Sequence, residues 1–138
     1  MNNKKETEQA LSPASSETLA MLNNNRDAII AETLKRSMQH NDEVAQHAEQ
    51  GPQLIRSGLT FSMQAIETAM QMGNVDILRF QIPWGRDRLI HDGVQPGHVL
   101  HRFEILRQVG AELLPPPAAQ EWLQYVNWLI HEQERSMK

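Results

Sequence analysis

Four breaks of glycine and proline divide this chain into stretches of helical length: Gly51-Pro52, Gly73-Asn74, Gly93 through Pro96, and Pro115-Pro116-Pro117. Between them, apolar residues recur at the three- and four-residue spacing of an amphipathic helix. No stretch alternates apolar and polar residues for long enough to form a strand, and Val, Ile and Thr are sparse and scattered. The pattern predicts an all-α protein of about six helices, without an internal repeat.

A length of 138 residues suits one domain with one core. The formal net charge is -4 and no block of Lys or Arg occurs. A phosphate-binding chain concentrates basic residues on one face, so nucleic acid is not an expected partner. No apolar run approaches the ~20 residues that span a bilayer, so no membrane association is expected. The N-terminal sequence MNNKKETEQALSPASS lacks the apolar core of a signal peptide, which makes the cytoplasm the expected location. The cysteine count of 0 excludes disulfides, thiolate metal sites and a cysteine nucleophile.

Residues 1–15 are polar, include Ser12-Pro13 and read as a flexible tail, leaving 16–138 as a single helical domain. The first helix is expected to open with Ser16 as N-cap and Glu17 in the first turn. It carries Leu19, Leu22, Ile29, Ile30, Leu34 and Met38, with Asn23-Asn24-Asn25 as a candidate break. A polar segment over 42–50 ends at Gly51-Pro52, read as a stop. A second helix, 53–72, places Ile55, Gly58, Leu59, Ser62, Ile66 and Ala69 on one stripe. Leu54, Phe61, Met63 and Met70 stand off that stripe, which marks this helix as central.

Gly73-Asn74 ends the second helix, and Asn74 is positioned to cap the next segment. That segment, 75–92, carries Ile77, Leu78, Ile82, Leu89 and Ile90, with a kink or restart at Pro83. A helix from Pro96 to Leu114 and a last one from Pro117 to Arg135 complete the series. The last helix has Ala118, Trp122, Tyr125, Val126 and Leu129 on one stripe, with Trp128 off it.

Histidines are the first candidates for chemistry. His98 and His101 lie three apart, but the apolar centre of their helix is Val99, Phe103, Leu106, Gly110 and Leu113. His98 then falls on its flank, His101 points away, and both read as surface histidines rather than metal ligands. His131-Glu132 with Glu121 suggests a carboxylate–histidine site, yet no Glu-x-x-His motif supports a di-iron centre. No nucleophile elbow or phosphate-binding glycine loop occurs, and the chain is not expected to be an enzyme. Trp84 either lines a cavity or plugs the Pro83 kink, and Trp128 is either partly exposed or part of a subunit contact.

Taken together, NNNRDAIIAETL, GLTFSMQAIETAMQMGNVDILRF, RDRLIHDGVQPGHVLHRFEILRQVGAELLP and the Trp-containing last helix resemble one family. It is the N-terminal sensory domain of RsbR-type stressosome proteins, which adopt a globin-like fold without haem. The resemblance extends from about Thr18 to Glu134. Its short features are Gly73-Asn74, Arg88 ahead of Gly93-Val94, and the Pro96 restart.

The resemblance implies a homodimeric sensor of stress signalling, without cofactor. Its last helix would lead into a C-terminal STAS domain that assembles with STAS-domain partners, and HEQERSMK would begin that connection. In such folds the first and last helices build the dimer, which nominates Trp128, Tyr125 and His131; Trp84, Leu89 and Phe80 are the pocket candidates. Aligning Gly93-Val94-Gln95-Pro96 on the corresponding globin turn puts Leu89 at the iron-binding position, two residues before His91. The alternative is a haem-binding gas sensor in which a shortened turn brings His91, or less favourably His98, under the iron.

Overall fold

The computed structural model describes residues 11–39, 51–80, 82 and 96–138, and every regular element among them is helical. Four long helices, α1 (Ser16–Met38), α2 (Gly51–Met72), α3 (Pro96–Leu113) and α4 (Pro116–Ser136), account for most of the described chain. A short helical segment at 76–80 follows α2.

The N-terminus of α1 is set one residue earlier than the sequence suggested. Ser15 is the N-cap, and its Oγ accepts from the Thr18 amide at 3.1 Å. Glu17 in the first turn and Lys35 and Arg36 in the last both complement the helix dipole. The Asn23–Asn25 run does not break the helix. Asn25 donates to the Met21 carbonyl at 2.8 Å, and Asn23 accepts from Arg26 at 3.0 Å. With these side chains partnered on the helix surface, burial of Leu22, Ile29 and Ile30 outweighs the low propensity.

Gly51-Pro52, read from sequence as a stop, instead opens α2. The two roles have one cause: a proline has no amide to give, and the first turn of a helix needs none. The far end of α2 follows expectation. Gly73 takes φ +66° and the Asn74 amide reaches back to the Ala69 carbonyl at 3.0 Å, the wide bond of a left-handed helix stop. Asn74 Oδ1 then accepts from the Asp76 amide at 2.9 Å, starting the 76–80 turn.

One core joins the four helices. Leu22, Ile29 and Ile30 of α1 meet Leu59, Met63, Ile66, Ala69 and Met70 of α2, Leu106 and Val109 of α3, and Trp122, Tyr125, Val126 and Leu129 of α4. The fully buried Met63 and Met70 widen the apolar stripe of α2, consistent with its central place. Gly58, placed on that stripe from sequence, is exposed.

Helix α3 packs most extensively on α4, while α1 touches all three other long helices. The pairs Arg107–Asn127, 2.8 Å, and Gly110–Trp122 show that α3 and α4 run antiparallel. Arg26 Nε holds Glu67 at 2.8 Å across α1 and α2, and Arg36 holds Glu112 at 2.7 Å across α1 and α3. No described helix is long and apolar enough to cross a membrane.

Candidate functional site: the last helix and the N-terminal clasp

Helix α4 is anchored by large side chains. Trp122 and Tyr125 are wholly buried, each contributing about 1.5–3 kcal/mol or more through burial alone. Trp122 lies against Gly110 of α3 so closely that any Cβ there would overlap the indole. Its Nε1 donates to the Arg107 carbonyl at 3.3 Å.

One turn of α4 grips the segment that precedes α1. Tyr125 donates its hydroxyl to the Ser12 carbonyl at 2.7 Å, and four residues earlier Glu121 accepts from the Ser15 amide at 3.1 Å. Glu121 also accepts from the hydroxyls of Ser15 and Thr18. Spacing of i and i+4 puts Glu121 and Tyr125 on one face, so both reach the same short strap. A carboxylate here also meets the positive end of the α1 dipole. Burial pushes the Tyr125 phenol up, and the nearby Glu121 carboxylate adds to the shift.

The strap itself, residues 11–15, has no regular secondary structure and is docked. Ala14 is buried and donates to the Met70 carbonyl at 2.8 Å. A Cβ at Gly73 would stand 2.8 Å from the Pro13 ring and 2.9 Å from the Leu11 carbonyl, so the strap lies directly on the end of α2. Residues 11–15 were expected to belong to a flexible tail; instead they are tied to α2 and α4.

The residues singled out from sequence are distributed differently. Trp84, Leu89 and His91 lie outside the described residues. Phe80, taken as a pocket residue, is 78% exposed and turned outward. Tyr125, nominated for a subunit contact, is 0% exposed, because its ring completes the core and its hydroxyl is engaged by the strap; it offers no surface to a partner.

Trp128 is half-buried and His131 exposed, so both retain surface. Arg79 sits over the Trp128 ring, 5.4 Å from its centroid, and also faces Asp76 at 3.1 Å. His98 is half-buried, and His101 is exposed with Nδ1 3.8 Å from Glu104.

Glu121, Glu132 and His131 do not converge. Glu121 faces the N-terminus of α1, Glu132 pairs with Arg135 at 2.9 Å, and His131 points to solvent. Among the described residues no group of three His, Asp or Glu is disposed to hold a metal ion. Sequence reasoning missed Ser12, Ser15 and Thr18 as partners of α4, since a contact over more than 100 positions leaves no periodic signal.

The chain matches no protein-family model, no curated protein and no solved structure.

Proposed function

We propose that this chain is a non-enzymatic sensory and dimerisation module of the RsbR-type stressosome kind, passing a signal to a downstream STAS domain. In this reading its helices form a haem-free, globin-like bundle in a cytoplasmic homodimer. The observation that carries the reading is the position of α4. Trp122 keys it to α3, and Glu121 and Tyr125 key it to the start of α1. A helix fixed at so many points moves only when the packing around it changes, which suits an output element. Trp128 and His131 remain on its surface to meet the partner protomer.

A signal acts on such a module only through a difference in affinity for its two arrangements. The test is sedimentation equilibrium of the chain and of Trp128→Glu. The expected result is a dimer at micromolar concentration that the substitution converts to a folded monomer. A wild-type monomer under those conditions overturns the reading. Titration with hemin separates the haem alternative: a sharp Soret band abolished by His91→Ala would establish haem binding in place of the haem-free sensor.

A further inference from the structure

We propose that residues 11–15 are a releasable clasp, whose local opening frees Tyr125, releases Glu121 from Ser15 and loosens the coupling of α4 to the start of α1 while the core stays folded. The inference stands on the geometry of the strap and does not depend on the family reading.

Three features support it. First, the strap is held by three directional polar contacts: Tyr125 to the Ser12 carbonyl, Ala14 to the Met70 carbonyl, and Ser15 to Glu121, at 2.7, 2.8 and 3.1 Å. Ser12, Pro13 and Ser15 are exposed, Ala14 is buried and Leu11 is half-buried against the core, so two apolar side chains of the strap are sheltered. Segments with few buried apolar contacts open at a fraction of the free energy of global unfolding.

Second, these contacts end on two separate helices, the C-terminus of α2 and the first half of α4, while Ser15 at the end of the strap caps α1. Opening the strap therefore alters a junction rather than one helix.

Third, the groups it releases have somewhere to go. Glu121 and Tyr125 share one face of α4 one turn apart, so the freed phenol has a carboxylate acceptor within its own helix. A buried hydroxyl left without any acceptor would oppose opening; this arrangement removes that obstacle. Glu121 holds both Thr18 and the strap, so exchanging the strap for Tyr125 changes what it offers to α1. A pull or a binding event at the N-terminal end of the strap thereby reaches α4 without passing through the apolar core.

The test is native-state amide hydrogen exchange on the whole chain, comparing wild type with Tyr125→Phe and Gly73→Ala. Tyr125→Phe removes only the hydroxyl, whereas Gly73→Ala puts a Cβ against Pro13 and the Leu11 carbonyl, strains the left-handed end of α2 and changes no residue of α4. The expected result has the Ala14 amide exchanging far faster than the Leu106 and Val126 amides in wild type. Each substitution accelerates Ala14 further, for Tyr125→Phe by roughly two- to fivefold, less than the loss of a whole hydrogen bond because the freed wild-type phenol regains part of it at Glu121. Gly73→Ala also shifts the Glu121 and Tyr125 amide resonances. If Ala14 exchanges only with global unfolding, the strap is part of the core and the proposal fails. It fails equally if Tyr125→Phe leaves Ala14 protection unchanged.

Discussion

Gly110 of α3 and Trp122 of α4 occupy a single position between them: the indole fills the space a Cβ at 110 would take, 2.8 Å from its Cζ2 and closer still to Nε1 and Cε2. The bulkiest residue of the core thus depends on the absence of a side chain across from it. Gly110→Ala must displace the ring or separate the helices, and overpacking of this kind costs about 1–3 kcal/mol. The gain in helix propensity, about 1 kcal/mol, offsets only part of that. Thermal denaturation should show a lowered midpoint, whereas the same change at Gly58, where nothing lies within 4 Å, should be neutral or stabilising.

Tyr125 is the single tyrosine of the chain, so its ionisation can be followed directly by phenolate absorbance. Burial, with the Glu121 carboxylate beside it, raises its pKa above the ordinary value of 10.0. The unfolded chain then ionises first. The stabilising contribution of the neutral phenol is complete below about pH 10 and is lost as pH rises through the folded value. The absorbance midpoint of the native protein should lie above 10, and Glu121→Gln should lower it.

The Arg36–Glu112 contact titrates in the opposite direction. A hydrogen bond from Arg36 holds the Glu112 carboxyl below the usual carboxylate value, with the guanidinium charge contributing. Its contribution is present above the unfolded carboxylate range, near pH 4.3, and is lost as pH falls through the lower folded value. Carboxyl-resolved magnetic resonance should give a depressed midpoint for Glu112 that returns to the ordinary value in Arg36→Gln. Both partners stay wet, so salt should weaken the shift.

Arg26 and Glu67 form the more sheltered pair, with Nε and Nη2 of the guanidinium on two carboxylate oxygens and Glu67 largely covered. A double-mutant cycle with Arg26→Ala and Glu67→Ala should give a coupling of about 0.5–1 kcal/mol, read from urea unfolding. A coupling near zero would mean that α1 and α2 are joined by apolar packing alone.

The breaks that organise the fold were readable because proline and glycine act locally. Gly73-Asn74, Pro96 and the Pro115–Pro117 run bound helices close to where the sequence put them. The apolar stripe of α4 was readable for the same reason, since Ala118, Trp122, Tyr125, Val126 and Leu129 are all buried. What the sequence concealed is tertiary. Proline opens a helix as readily as it ends one, so Gly51-Pro52 carried two meanings. Burial on the same helix overrode the three asparagines of α1. Glu121 was considered only with His131-Glu132 as a carboxylate–histidine site, because nothing in the local pattern places the start of α1 beside it. Tyr125 was read both as core and as contact, and its complete burial together with its hydrogen bond to Ser12 separates the two.

In the proposed sensor, α4 is the output helix and its exposed face meets the partner protomer. The chain has 0 cysteines, so one introduced thiol labels one site. Gln124 is exposed on α4, one turn before Trp128. The most direct measurement is the inter-protomer distance between spin labels on Gln124→Cys, taken at micromolar concentration. A single, narrow, short distance is predicted, abolished by Trp128→Glu in the same background. Absence of any dipolar signal, or a distance indifferent to Trp128→Glu, would contradict the claim.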